Sequence, residues 1–324
     1  MKVFLTGATG AIGQRLLPLL IDDGHEVFAS TRSPAKLEGL QQQGAHPLLV
    51  DVLDAASTRR AVASVKPDAV IHELTALSHV KSYRNLDQAL AETNMLRTRG
   101  LDNLIAAAVE SGASRFIAQS FVGWPNGRGG PRIKSELDPL DDSPLPSMVE
   151  SLAAIKHIET TVPTIRTMTG IVLRYGQLYG PGSGFSANGA MVRLVKKRSF
   201  PLIGGGGGIW SFVHVDDAAS ATVAALSRGD AGIYNIVDDE PSEISNWLPF
   251  LAELIGAKRP YSIPKWLGRL IAGDAVTVQM TAIRGLSNQK AKRVLNWHPQ
   301  HATWRTGFQE IRSVPASPGE SHLR

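Results

Sequence analysis

Over the first 120 residues, short apolar runs alternate with stretches of helical period. Lys2–Leu5, Glu26–Ala29, Pro47–Val50, Asp68–Ile71 and Arg115–Ala118 read as strands. Ala11–Asp22, Pro34–Gln43, Ala55–Val65 and Leu86–Ser111 read as the helices between them. Strands alternating with helices of this length predict an α/β fold, a doubly wound parallel sheet with helices on both faces. Between Gly123 and Pro146 the periodicity gives way to turn residues, as in Trp124-Pro125-Asn126-Gly127, and a connection that long is usually functional or mobile. A helix over Met148–Thr160 and a strand at Ile171–Leu173 resume the pattern. Beyond Gly180 it becomes irregular, and helices at Trp247–Ile255 and Trp266–Ile271 suggest a smaller second unit.

Composition narrows the possible chemistry. At ~150 residues per domain, 324 residues fit two domains. Cysteine is absent, which excludes disulfides, thiolate metal sites and a cysteine nucleophile. The net charge is +5, and the basic residues fall in groups such as Lys196-Lys197-Arg198 and Lys258-Arg259. These read as solvated helix faces, so no nucleic-acid partner is expected. No apolar run reaches the ~18 residues of a membrane span, and Met1–Leu5 leads straight into a glycine loop with no signal segment. The expectation is a cytoplasmic protein with no membrane partner. Of the nine histidines, His298 and His301 are three apart with Pro299 between them, so no metal is expected. Gly-x-Ser-x-Gly does not occur, so there is no nucleophile elbow.

The candidate chemistry begins at Thr6-Gly7-Ala8-Thr9-Gly10-Ala11-Ile12-Gly13, between the first predicted strand and helix. Gly7 permits the tight turn, Gly10 lets the backbone approach a pyrophosphate, and Gly13 lets helix and strand pack closely. The helix N-terminus then offers free N–H groups to the phosphates. After the second strand, Ser30-Thr31-Arg32-Ser33 has no carboxylate for a ribose 2′-OH, whereas Arg32 and the hydroxyls suit a 2′-phosphate. NADP is favoured, with NAD the alternative.

Other segments agree with this motif. Asp51-Val52 follows the third strand, and Asn94 sits in Thr93-Asn94-Met95. The run Leu173–Gly182 and the segment Phe212-Val213-His214-Val215-Asp216-Asp217 come later. Together these resemble the extended branch of the short-chain dehydrogenase/reductase superfamily, in an NAD-dependent epimerase/dehydratase-like form, over roughly residues 1–240. The resemblance implies a Rossmann fold with bound NAD or NADP. It implies cofactor contacts from Gly7, Thr9, Gly10, Ala11, Ile12, Gly13, Ser30, Arg32, Asp51, Val52, Leu74, Thr75, Ala76, Asn94, Lys156 and Tyr175. It also implies a dinucleotide-binding domain over 1–175 with a return segment at 209–237, and a mainly substrate-binding domain over 176–312. A flexible tail is expected over 313–324. The helix Leu86–Ser111 and the one through Lys156 resemble the family's dimer pair, which suggests a homodimer.

The catalytic pattern is incomplete. The superfamily's hydride chemistry uses Ser, Tyr and Lys, with the Tyr four residues before the Lys. Lys156 matches the Lys, but Leu152 stands four before it. No tyrosine occurs between Tyr83 and Tyr175, so the phenol is absent rather than shifted. Ser120 is the candidate serine, with Phe121 one place later. Tyr83, together with His79 and Lys81, occupies the loop after the fourth strand and could supply the proton. Glu73 is a stranger choice, since a carboxylate there is costly unless paired. Tyr175 and Tyr179 are expected to support the cofactor and its loop.

Sugar-nucleotide enzymes of the branch often hold an Arg two residues before Phe212, where this chain has Trp210. An indole suits an apolar ligand, although Arg193 or Arg284 could serve a phosphate instead. Phe121, Gln177 and Trp210 are the candidate substrate contacts. For Trp247, Trp266, Trp297 and Trp304, core packing is the default. Three readings remain open. The first is an NAD(P)-dependent oxidoreductase acting on a small, apolar carbonyl or hydroxy compound with a non-standard proton donor. The second is a sugar-nucleotide epimerase or dehydratase with bound NAD. The third is an NADP-binding sensor or partner protein without turnover.

Overall fold

A computed structural model describes residues 1–77, 80, 82 and 84–313. Its first part alternates as the apolar pattern requires: β1 (Lys2–Thr6), α1 (Gly13–Asp22), β2 (Glu26–Thr31), α2 (Leu37–Gln42), β3 (His46–Leu49), α3 (Ala55–Val65) and β4 (Ala69–His72). The stretch expected to be one helix is instead broken into α4 (Leu86–Ala89), α5 (Ala91–Met95), a π-helical turn (Leu96–Gly100) and α6 (Leu101–Ser111). The Thr98 hydroxyl donates to the Asn94 carbonyl at 2.8 Å, competing with the helical ladder. At Gly100 an added Cβ would lie 3.1 Å from Val52 Cγ2, so the turn is pressed against the segment after β3. Then come β5 (Arg115–Phe121), β6 (Ile133–Lys134), α7 (Val149–Thr161) and β7 (Thr169–Tyr175).

The remainder contains β8 (Gln177–Tyr179), α8 (Ala190–Lys196), β9 (Leu202–Ile203), β10 (Ile209–Trp210), β11 (Phe212–His214), α9 (Val215–Ser227) and β12 (Gly232–Ile236). It ends with β13 (Ser242–Glu243), α10 (Ile244–Leu254), β14 (Ser262–Ile263), α11 (Lys265–Ala272), α12 (Asp274–Thr281), β15 (Gly285–Leu286), α13 (Gln289–Val294), α14 (Trp304–Gly307) and α15 (Gln309–Ser313). The predicted tail beyond this helix lies outside the described residues.

The central sheet has seven strands in the order β12-β7-β5-β4-β1-β2-β3, and every pairing is parallel. Successive strand residues serve opposite faces. Leu5, Ile71 and Ile117 pack with Leu16, Leu20, Ala218 and Ala221 beneath α1 and α9. Phe4, Val70 and Phe116 pack with Val62, Leu104 and Ile158 beneath α3, α6 and α7. Burial on both faces explains why these strands read as continuous apolar runs. A third core gathers Phe185, Phe212, Trp247, Trp304 and Phe308. Leu152 and Ile155 of α7 pack into it, so α7 serves two cores. The C-terminal ends of β1, β4, β5 and β7 together define the edge where the candidate residues collect.

Candidate functional site

The loop from β1 into α1 is shaped by contacts that allow no side chain. Gly7 has φ +88°, and an added Cβ would lie 2.6 Å from the Glu73 carbonyl oxygen. A Cβ on Gly13 would come within 2.1 Å of the Gly7 carbonyl oxygen, and Gly10 N–H closes the turn onto that oxygen at 2.9 Å. The amides of Ala11 and Ile12 find no acceptor among the described residues, and no side chain caps α1. Free N–H groups at the N-terminus of a ten-residue helix favour an anion. The cradle therefore fits the pyrophosphate of a dinucleotide.

At the adenosine end, Asp51 lies exposed after β3 with Oδ1 accepting from Leu53 N–H at 3.0 Å. Val52 is buried, its carbonyl held by Asn103 at 2.8 Å. Ser30 is buried at the end of β2, and Arg32 is exposed and paired with Glu92 at 2.6 Å. Lys36, which sequence reasoning passed over, donates to Thr9 Oγ1 at 3.1 Å and so bridges the second strand's loop to the glycine loop. Its signal was a second cation four residues beyond Arg32.

Glu73 follows β4 and lies against Gly7, within the core. Tyr175 Oη lies 2.8 Å from Glu73 Oε1 and 2.6 Å from Thr222 Oγ1, while Thr222 donates to the Ala218 carbonyl at 2.9 Å. Tyr175 has one proton for two short contacts. Tyr175 donates to Glu73 Oε1, and the Thr222 hydroxyl serves Tyr175 Oη or the Ala218 carbonyl. Burial raises the Glu73 pKa to about 8, with the Tyr175 bond opposing. Tyr175 is itself buried, and burial, followed by the Glu73 charge, raises its pKa well above the usual value. It supports the loop through Glu73, and its hydroxyl does not face open space.

The catalytic candidates divide sharply. Lys156 is half-buried one turn after Leu152, its ammonium donating to the Asp141 carbonyl at 2.9 Å. The Asp141 carboxylate in turn holds Arg128 at 3.0 Å, so the long 123–146 connection folds back onto α7. Asn94 Nδ2 donates to Ser151 Oγ at 3.1 Å, and its buried Oδ1 has no partner among the described residues. Such an orphaned acceptor fits a cofactor or substrate hydroxyl. Leu74 and Thr75 are half-buried after β4, and Ala76 N–H is taken by Thr93 Oγ1 at 3.0 Å.

Ser120, the candidate serine of the catalytic pattern, is placed inside the core. Strand alternation turns it away from the open end, and it is wholly buried with Oγ donating to Glu159 Oε1 at 2.8 Å. Arg174 grips the same carboxylate with two bonds, at 2.7 and 2.6 Å. Ser120 thus completes a buried ion pair. Tyr83, His79 and Lys81 lie outside the described residues.

On the substrate side, Phe121 and Gln177 are half-buried at the ends of β5 and in β8. Trp210 belongs to the aromatic core, 5.0 Å from the Trp247 ring, with its N–H committed to the Gln279 carbonyl at 3.1 Å. At 8% exposure, little of its side chain is open to a ligand. Tyr179 is buried edge-on to His214 and Phe308, and burial raises its pKa. Arg284 donates to the Arg128 carbonyl at 2.8 Å, and Arg193 donates to the Asn188 carbonyl.

Sequence spacing could not show a second group, in which His301 meets His214 and Glu310 rather than His298. The two imidazoles stack with centroids 3.8 Å apart. Glu310 bridges them, at 3.2 Å from His214 Nε2 and 2.9 Å from His301 Nε2. Asp216 N–H donates to His214 Nδ1 at 3.2 Å, which leaves the neutral ring's proton on Nε2, facing Glu310. His214 Nε2 is nonetheless buried without a hydrogen-bond partner among the described residues, so ring stacking and the nearby Glu310 carboxylate hold the group together between α9 and α15.

Comparison with known proteins agrees with this geometry. The model of the NAD dependent epimerase/dehydratase family matches residues 3–237. A 3-diazoavenalumate denitrifying reductase from Streptomyces is 37% identical, over 95% of this chain and 99% of the relative. Among solved structures, the UDP-glucose 4-epimerase of Thermotoga maritima superposes with a TM-score of 0.75 at 22% identity, covering 96% of this chain and 97% of that one. A human epimerase family protein with NADPH gives 0.72 at 18% identity, covering 96% and 99%. With the glycine cradle in place, the family model over residues 3–237 and the 37% identical relative show that the chain belongs to the NAD-dependent epimerase/dehydratase family, as an oxidoreductase or epimerase that works with a nicotinamide dinucleotide.

Proposed function

We propose that this protein is an NADP(H)-dependent reductase of a small, apolar carbonyl compound, working without the superfamily's phenolic proton donor. One observation carries the reading: Leu152, buried in the aromatic core, stands one turn before Lys156. Oxidising an alcohol requires a base to take the hydroxyl proton. An epimerase needs that step as well as its reverse. Reduction needs only a donor to a developing oxyanion, and a weaker or solvent-derived donor can serve. When bound, the reduced nicotinamide supplies the hydride for the carbonyl carbon. The Lys156 ammonium and the Asn94–Ser151 pair orient the ribose and the substrate oxygen, and the apolar wall of Phe121 limits water.

Arg32, Ser30 and Lys36 would hold a 2′-phosphate, the glycine loop the pyrophosphate, and Asp51 the adenine. The missing carboxylate at the end of β2 supports NADP, and the Streptomyces relative's name supports a reductase. The proposal includes a cytoplasmic homodimer built on α6 and α7, where Val109 and Val149 are exposed. In this reading residues 1–175 with 209–237 hold the dinucleotide, and 176–312 mainly cover the substrate. The test is NADPH consumption with a panel of apolar aldehydes and ketones beside UDP-glucose. Turnover confined to the apolar carbonyls is expected. Interconversion of UDP-sugars with catalytic NAD would overturn the proposal.

A further inference from the structure

Five of the six tryptophans are buried, in keeping with core packing, but Trp266 is 67% exposed. It lies on α11 one turn before Leu270, itself 65% exposed, with Ile271 at 52% beside it. The helix cannot roll to hide them. Its inward face is Gly268, where a Cβ would lie 2.3 Å from Ile203 Cγ2 in β9. Tyr261, 44% exposed, lies just before β14, which pairs with β9, and the Arg198 guanidinium sits 5.7 Å over its ring. The end of α8, β9 and α11 therefore form one continuous surface.

The charge on this surface is one-sided. Segments 193–199 and 256–273 hold eight of the chain's 34 basic residues and none of its 29 acidic ones, so the rest of the chain is net negative. Lys196, Lys197, Arg198, Lys258, Arg259 and Lys265 are all exposed. The flanking Asp274 pairs with Arg269 at 3.2 Å. The basic groups dismissed in the sequence as scattered solvated faces are thus brought together around exposed aromatic and aliphatic side chains.

We propose that this surface docks the protein onto anionic lipid bilayers, with Trp266, Leu270 and Ile271 entering the interface and the surrounding cations meeting the headgroups. An amphipathic helix with tryptophan and leucine beside lysine and arginine has the composition of an interfacial element. Nucleic acid would use the cations and the rings but gain nothing from Leu270 and Ile271. The sequence expectation of no membrane partner considered only spans, and no described helix is long and apolar enough to cross a membrane. Arg84 donates to the Leu270 carbonyl at 3.1 Å, which ties α11 to the segment after β4 that flanks the candidate site. An apolar substrate dissolved in lipid would meet the protein there.

The test is flotation of the full chain with phosphatidylcholine vesicles, with and without phosphatidylglycerol, at low and high salt. Binding is expected only to the anionic vesicles and should be lost at high salt. Leu270→Glu should weaken it at least tenfold, and Lys196→Glu/Lys197→Glu should weaken it by about fivefold or more per residue. Both variants alter exposed positions, and unchanged dinucleotide binding will show that they fold. No flotation with anionic vesicles would overturn the proposal. So would equal binding to neutral vesicles, or binding untouched by Leu270→Glu. A dimer dissolved by Leu270→Glu would reassign the surface to a second copy, and tighter binding to single-stranded DNA would reassign it to nucleic acid. None of these readouts requires turnover, so they stand apart from the reductase reading.

Discussion

Replacing Glu73 with Gln tests whether the cofactor loop rests on a neutral carboxylic acid. In the unfolded chain the group titrates near 4.5, and in the fold near 8, because burial disfavours the anion. Between those two values the folded state holds a proton that the unfolded state has released. Stability from this group is therefore complete below pH 4.5 and falls as pH rises to about 8. At about 1.4 kcal/mol per pH unit, the loss amounts to ~5 kcal/mol at most. Glutamine keeps the shape and an oxygen acceptor for Tyr175 but has nothing to ionise. Urea unfolding followed by fluorescence at pH 5, 7 and 8.5 should show wild type and Glu73→Gln nearly equal at pH 5. The variant should be several kcal/mol more stable at pH 8.5. His72, buried nearby and lowered to about 4, adds an opposite slope at acid pH, but it is common to both proteins and cancels in the difference. A difference that does not change with pH would refute the protonated Glu73.

Four further outcomes follow from the same contacts. Ser120→Ala should cost about 1–2 kcal/mol of stability by removing a buried bond to Glu159, with kcat unchanged, as thermal melts and steady-state kinetics will show. Lys156→Ala should lower kcat and raise the KM for NADPH together, whereas a purely structural lysine would change only Tm. Arg32→Ala should weaken NADPH about 10- to 100-fold in fluorescence titrations, as expected for a lost charge-assisted bond, and leave NADH unchanged. Gly13→Ala, whose Cβ would lie 2.1 Å from the Gly7 carbonyl, should abolish dinucleotide binding even where the chain still folds by circular dichroism.

The sheet was legible because its signals are local. Phe4 and Leu5, or Val70 and Ile71, are apolar neighbours buried on opposite faces, and the glycine loop lies wholly within one turn. The break in the helix after Leu86 was not legible, because it follows from Thr98 bonding to Asn94 and from Gly100 meeting Val52. The candidate site was half legible. The turn formed by the glycines was legible from their spacing, and the missing phenol could be read from the tyrosine positions alone, whereas the contact of Lys156 with the Asp141 carbonyl was not. Glu73 was noticed as a costly carboxylate, but its partners Tyr175 and Thr222 lie more than a hundred residues away. The ion pair of Arg32 with Glu92 and the group of His214, His301 and Glu310 depend on similar long-range packing. The burial of Ser120 was not legible, because its partners Glu159 and Arg174 meet it only in three dimensions.

The central claim is hydride transfer to an apolar carbonyl without a phenolic donor. Its most direct test is the fate of the label when NADPH carrying deuterium at both nicotinamide C4 positions is incubated with the protein and an apolar aldehyde or ketone. The account predicts one deuterium on the former carbonyl carbon of the alcohol product, in amounts matching the NADPH consumed. Unlabelled carbonyl compound, with UDP-sugar epimerised in the same preparation, would contradict it.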